Sequence, residues 1–234
     1  MNSEKNISGL EEKIGIKFKE PNLLKQSMVH RSYLNENPKC HLDNNERLEF
    51  LGDAVLEIVV TEYLFNNFNN PEGELTNWRA SLVNSKMLSK IATDLGIEEY
   101  LYLSRGEAKD KNSKARQYIL ADAIEALIGA VYLDRGIRSA ENFIKKNILI
   151  HLPNILKHKL YLDPKSRFQE LAQERKGITP TYKVMSTKGP DHNKKFTVGL
   201  YLEDEFISEG EGTSKQEAQV SAAEAALRLE EWQE

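Results

Sequence analysis

The sequence predicts an all-α domain over residues 1–157, a linker over 158–163 and a small α+β domain over 164–234 with the order α-β-β-β-α. Three observations predict it. Apolar residues recur at helical spacing through the first part, and no two alternating segments there could pair as strands. Alternation of period two is confined to the stretch from Thr181 to Gly210. The character of the chain changes at about Lys157–Pro164, and the C-terminal stretch carries a small core of its own.

The elements come in order. Leu10 to Ile16 reads as a first amphipathic helix, and Asn22 to His30 as a second after Pro21. Asp43 is the expected N-cap of the next helix, with Glu46 three residues on as its capping-box partner. That helix runs to about Phe65. Asn66–Gly73, rich in Asn, Pro and Gly, reads as a loop. Glu74 to Leu95 is helical up to Gly96. Gln117 to Leu133 is long, apolar and stopped by Asp134-Arg135-Gly136, and Ser139 to Leu149 has one apolar face. In the second part, Lys165 to Lys176 is an amphipathic helix with Phe168, Leu171 and Ala172 inward. Thr181–Ser186, Phe196–Leu202 and Glu205–Gly210 are strands, with Lys188–Asn193 as the first turn. Ser214 to Glu230 closes the domain as an Ala-rich helix.

Composition narrows the function. A 234-residue chain with 40% hydrophobic residues suits a soluble globular protein. No apolar run reaches the roughly 18 residues of a membrane span, so no membrane partner is expected. The first residues lack a signal-peptide pattern. The single cysteine, Cys40, excludes an intrachain disulfide and fits a reducing cytosol. One cysteine and five scattered histidines make no zinc site. The net charge is −4, and residues 164–234 hold ten Lys/Arg against thirteen Asp/Glu. A nucleic-acid footprint therefore has to come from local clusters.

Carboxylates stand where a core helix should not have them. Glu46, Glu49 and Asp53 fall at i, i+3 and i+7, on one face of a helix. Asp122 and Glu125 fall at i and i+3 inside a nearly unbroken apolar segment, where an isolated buried charge is very costly. Two acidic stripes on apolar helices point to a cation between them, and oxygen ligands favour a hard divalent metal. Taken alone, Glu49 and Asp53 also fit a solvated helix face, and Asp122 and Glu125 fit helix capping or pairing with an internal Arg or Lys. A di-iron bundle would need Glu-x-x-His, but Gly52 and Ile128 stand three residues after Glu49 and Glu125. There is no Gly-rich phosphate loop followed by Lys-Ser/Thr, so no small-molecule cofactor is expected. His30, within an apolar turn, reads as structural.

Residues 45–53, Asn-Glu-Arg-Leu-Glu-Phe-Leu-Gly-Asp, closely resemble the signature string of ribonuclease III. His30-Arg31-Ser32-Tyr33 is similar to the short motif that precedes it in that family, and Asp122-Ala123-Ile124-Glu125-Ala126 to the second catalytic motif. The C-terminal segment resembles a double-stranded-RNA-binding domain. The order and spacing agree from about Leu10 to Leu229, in the simple two-domain length of the bacterial form. The resemblance implies an all-α endonuclease domain followed by an RNA-binding domain. It assigns Glu49, Asp53, Asp122 and Glu125 to one metal cluster, with Glu125 a direct ligand and Asp53 helping to hold and orient bound water. Asp53 and Glu125 are the catalytic pair. The metal expected is magnesium, with manganese as a substitute. Glu46 and Glu72 are accessory candidates. Glu46 also has its capping role, and Glu74 competes with Glu72 for the matching position.

The resemblance further implies a cytoplasmic homodimer that cuts duplex RNA to 5′-phosphate and 3′-hydroxyl ends with short 3′ overhangs, in processing of ribosomal precursors and other transcripts. Duplex RNA is read through minor-groove 2′-hydroxyls and phosphates. The candidate contacts are Gln169 and Glu170 on the first helix of the domain, Pro190 and His192 in the turn, Lys194 and Lys195 after it, and Lys215 at the last helix. Outside this topology, Lys194-Lys195 reads as a solvated loop. Gln216 stands where the family often has a second lysine, which removes one phosphate contact. The rival reading is a non-cleaving double-stranded-RNA-binding protein that kept the fold. The presence of all four acids argues against it.

Overall fold

The computed structural model describes residues 7–110, 113–190 and 194–232. The chain divides into two compact units between Ile155 and Leu156. In the first, helices run as α1 (Ile7–Ile14), α2 (Pro21–Ser27), α3 (Arg31–Glu36), α4 (Glu46–Asn67), α5 (Glu72–Val83), α6 (Ser85–Asp94), α7 (Arg105–Lys109), α8 (Lys114–Arg135) and α9 (Ile137–Asn147), and the division falls within α10 (Leu152–Lys157). The second contains α11 (Pro164–Lys176), strands β1 (Thr181–Lys188), β2 (Lys195–Leu202) and β3 (Glu205–Gly212), and α12 (Lys215–Ala226).

α8 is the axis of the helical unit. Ala123, Ile124, Ala126, Leu127, Ile128, Ala130 and Val131 are all fully buried along it, so it is apolar nearly all round, as a helix enclosed by others must be. Ser113 caps it by accepting from the Arg116 N–H at 3.1 Å. α4 packs along α8 and buries Leu48, Val55, Leu56, Val59 and Val60.

Several local expectations are corrected. The second helix ends at Ser27. His30 is extended and caps the short α3, its Nδ1 accepting from the Ser32 N–H. Asp43 does not cap α4. The flanking residue is Asn45, and Asn44 Oδ1 accepts from the Glu46 N–H at 3.3 Å, so Glu46 belongs to no capping box. The loop before α5 ends at Pro71, and Glu72 opens the helix. The stretch 74–95 is broken at Asn84, which is extended and caps α6 by accepting from the Met87 N–H at 2.9 Å. An Asn side chain that bonds nearby backbone groups competes with helix continuation. One parallel bridge, Val29 to Tyr102, ties the α2–α3 corner to the chain ahead of α7.

In the second unit the antiparallel sheet runs β1-β2-β3. Leu200 and Leu202 alternate inward from β2 onto Phe168, Leu171 and Ala172 of α11 and the alanines of α12. The last helix stops at Ala226 rather than Glu230, and a 3₁₀ turn (Glu230–Trp232) folds Trp232 back against Phe168, ring centroids 4.9 Å apart.

Candidate active site

Two glycines let the acidic helices meet. A β-carbon on Gly52 of α4 would lie 1.7 Å from the Glu125 carbonyl oxygen, and one on Gly129 of α8 would lie 2.2 Å from the Leu48 carbonyl oxygen. The backbones therefore touch where each helix carries its acids. Glu49 lies one turn before Gly52, and Glu125 one turn before Gly129, so both carboxylates project at the crossing.

Glu49, Asp122 and Glu125 each offer a carboxylate oxygen within 4.8 Å of the other two, and all three are half-buried. The costly acids of α8 are thus at the mouth of a crossing, not sealed within it. Burial pushes the Glu125 carboxyl up to about 8, and the neighbouring charges of Asp53, Asp122 and Glu49 push in the same direction, with no cation among the causes. Glu49 is raised by burial, then by Asp122, Glu46 and Asp53. Asp122 is raised by burial. Three hard oxygen donors crowded without a positive partner fit a divalent cation.

Asp53 is exposed and lies outside the group of three, but it is the strongest carboxylate influence on Glu125. Glu46 is exposed and pairs with Arg31 at 3.4 Å and Asn44 at 3.1 Å. Glu72 accepts from the Thr76 hydroxyl at 3.2 Å, while Glu74 accepts from Asn70 at 2.8 Å. The structure brings neither Glu46 nor Glu72 into the three-carboxylate group.

On the second unit, Gln169 and Glu170 are exposed on α11 and line a groove with Ser166, Gln173 and Glu174. Pro190 is exposed in the turn after β1. Lys194 and Lys195 are exposed at the start of β2, and Lys215 is exposed at the first position of α12, next to the Ser214 cap. His192 lies outside the described residues. Sequence reading missed Gly52 and Gly129, although a glycine inside an apolar helix costs about 1 kcal/mol and so signals a packing reason. Lys165 of α11 donates to Gln219 at 2.8 Å and stands over the Tyr182 ring.

Residues 20–152 match the family model for ribonuclease-III-like domains, and residues 164–230 match the double-stranded RNA binding motif. The chain belongs to the ribonuclease III family. It is an endoribonuclease directed at double-stranded RNA. Its helical unit is the nuclease domain and its second unit the RNA-binding domain. The chain is 42% identical to a Ribonuclease 3 of Nitratiruptor sp. over 226 residues, covering 96% of this chain and 97% of the relative. It is equally 42% identical to a Ribonuclease 3 of Chloroflexus aurantiacus, over 94% of this chain and 90% of the relative. The nuclease domain of a Campylobacter jejuni ribonuclease III, studied for flexibility in a region involved in dimer formation, aligns with a TM-score of 0.55 at 39% identity, covering 63% of this chain and 99% of that structure.

Proposed function

We propose that this chain hydrolyses duplex RNA with divalent-metal assistance, leaving 5′-phosphate and 3′-hydroxyl ends, in the processing of ribosomal precursors and other structured transcripts in the cytoplasm. The convergence of Glu49, Asp122 and Glu125 without a cationic partner carries this reading. These three residues would hold magnesium or manganese. A bound divalent ion supplies charge stabilisation at the phosphate and lowers the pKa of water. Asp53, exposed beside them, orients the attacking water. Water attacks phosphorus, the bond to the 3′ oxygen breaks, and the phosphate stays on the 5′ side. Gln169, Glu170 and the lysines at 194, 195 and 215, with His192, hold the duplex by its minor grooves and phosphates.

A homodimer completes the reading. Phe50, Ile58 and Phe65 are 81%, 57% and 75% exposed along α4. Large apolar side chains gathered on the surface of one helix mark an interface, and Phe50 is the direct neighbour of Glu49. With one acidic cluster in each subunit, each subunit would cut one strand.

The test is cleavage of a labelled RNA duplex of about thirty base pairs in magnesium and then in EDTA. Metal-dependent cutting to 5′-phosphate ends, absent on matched DNA and lost in Glu125→Gln, is the expected result. Full cleavage by Glu125→Gln in magnesium would overturn the assignment of the cluster.

A further inference from the structure

The turn between α1 and α2 meets the end of α8 and the outer face of α9 around a pocket of about 340 Å³. Lys17, Arg135 and Lys146 line it together with Ser139 and Asn142, and none of its lining residues is acidic. Arg135 is already neutralised: its Nε lies 3.1 Å from the buried Asp134 carboxylate and donates to the Lys17 carbonyl oxygen at 2.8 Å. Asp134 also accepts from the backbone N–H groups of Lys19 and Glu20, at 2.9 and 2.8 Å. The turn is therefore pinned from both sides, and the pocket wall is pre-formed.

The lysines are different. Among the described residues neither Lys17 nor Lys146 pairs with a carboxylate. The Lys146 Nζ would be only 3.8 Å from a β-carbon on Gly15, so it leans over the turn. Both ammonium groups line a pocket whose walls carry no carboxylate. An anion held in the pocket would be attracted by both. Ser139 and Asn142 add polar groups, and the volume admits something the size of a nucleotide.

We propose that this pocket binds a phosphate group. It lies ten residues along α8 from Glu125, about 15 Å at 1.5 Å per residue, so it is separate from the carboxylate cluster. The phosphate comes either from the backbone of duplex RNA or from a free phosphorylated small molecule.

The full chain in EDTA would be titrated with inorganic phosphate and pyrophosphate at low ionic strength, beside the double variant Lys17→Gln/Lys146→Gln. Both positions are exposed, and circular dichroism checks the fold. Saturable binding, about tenfold weaker in the variant, is expected for a free anion, with duplex affinity and cleavage unchanged. If the phosphate belongs to RNA, the variant instead binds duplex more weakly and the slope of log affinity against log salt falls by about one to two. Phosphate binding that is non-saturating or equal in the two proteins, together with identical duplex affinity and salt slope, overturns the proposal.

Discussion

The Glu125 carbonyl oxygen stands where a side chain on Gly52 would begin, 1.7 Å from the position of its β-carbon. Gly52→Ala therefore has to separate α4 from α8, and overpacking of this kind costs about 1–3 kcal/mol or more. The expected result is a lower melting temperature and loss of cleavage, because Glu49 and Glu125 no longer converge. A variant with unchanged melting and full cleavage would show that the crossing tolerates a methyl group.

In the metal-free protein, stability depends on pH through the same cluster. Glu125 titrates near 8 when folded and near 4.5 when unfolded. Between those values the folded state binds more protons, so stability falls as pH rises from about 4.5 to about 8 and levels off above. Glu49 and Asp122 shift in the same direction. Melting in EDTA at pH 6 and pH 9 should show the loss, and Glu125→Gln should shrink it. Equal pH dependence in the two proteins would contradict the raised carboxyl.

Metal binding should mirror this. A ligating carboxylate must lose its proton, so magnesium affinity measured by calorimetry should rise with pH up to about 8. A flat profile across that range would remove Glu125 from the ligand set.

Phe50→Asp places a charge at the most exposed large apolar side chain of α4. If α4 forms the proposed dimer interface, sedimentation at low micromolar concentration should show the parent as a dimer and the variant as a monomer while the helical signal persists. A variant that sediments like the parent would move the interface elsewhere.

Deleting residues 163–234 should leave the helical unit folded, since it carries its own core, and should weaken duplex binding by at least tenfold because the proposed contacts of Lys194, Lys195 and Lys215 with phosphate go with it. An unchanged dissociation constant at matched salt would place the RNA affinity in the nuclease domain.

The domain order and the acidic residues are legible in the sequence because both rest on spacing: period two against period 3.6, and acids three or four residues apart. The meeting of Glu49 with Asp122 and Glu125 is different, since it depends on which faces of α4 and α8 pack, and only Gly52 and Gly129 hint at it. The break at Asn84 is hidden because a helix on each side continues the apolar pattern through it. Trp232 lies past the alternating segments, so its return to the core depends on tertiary space beside Phe168 that no local signal encodes.

The separation of the acids along the chain also bears on how the protein folds. Glu49 and Asp122 are 73 residues apart in sequence, so the cluster exists only after a long loop has closed, and such closures are entropically late events. A ligand gripping both helices would then leave the folding rate nearly unchanged and slow unfolding. Besides its part in the proposed cleavage, a divalent ion held there would act as a kinetic lock, lengthening the lifetime of the native state.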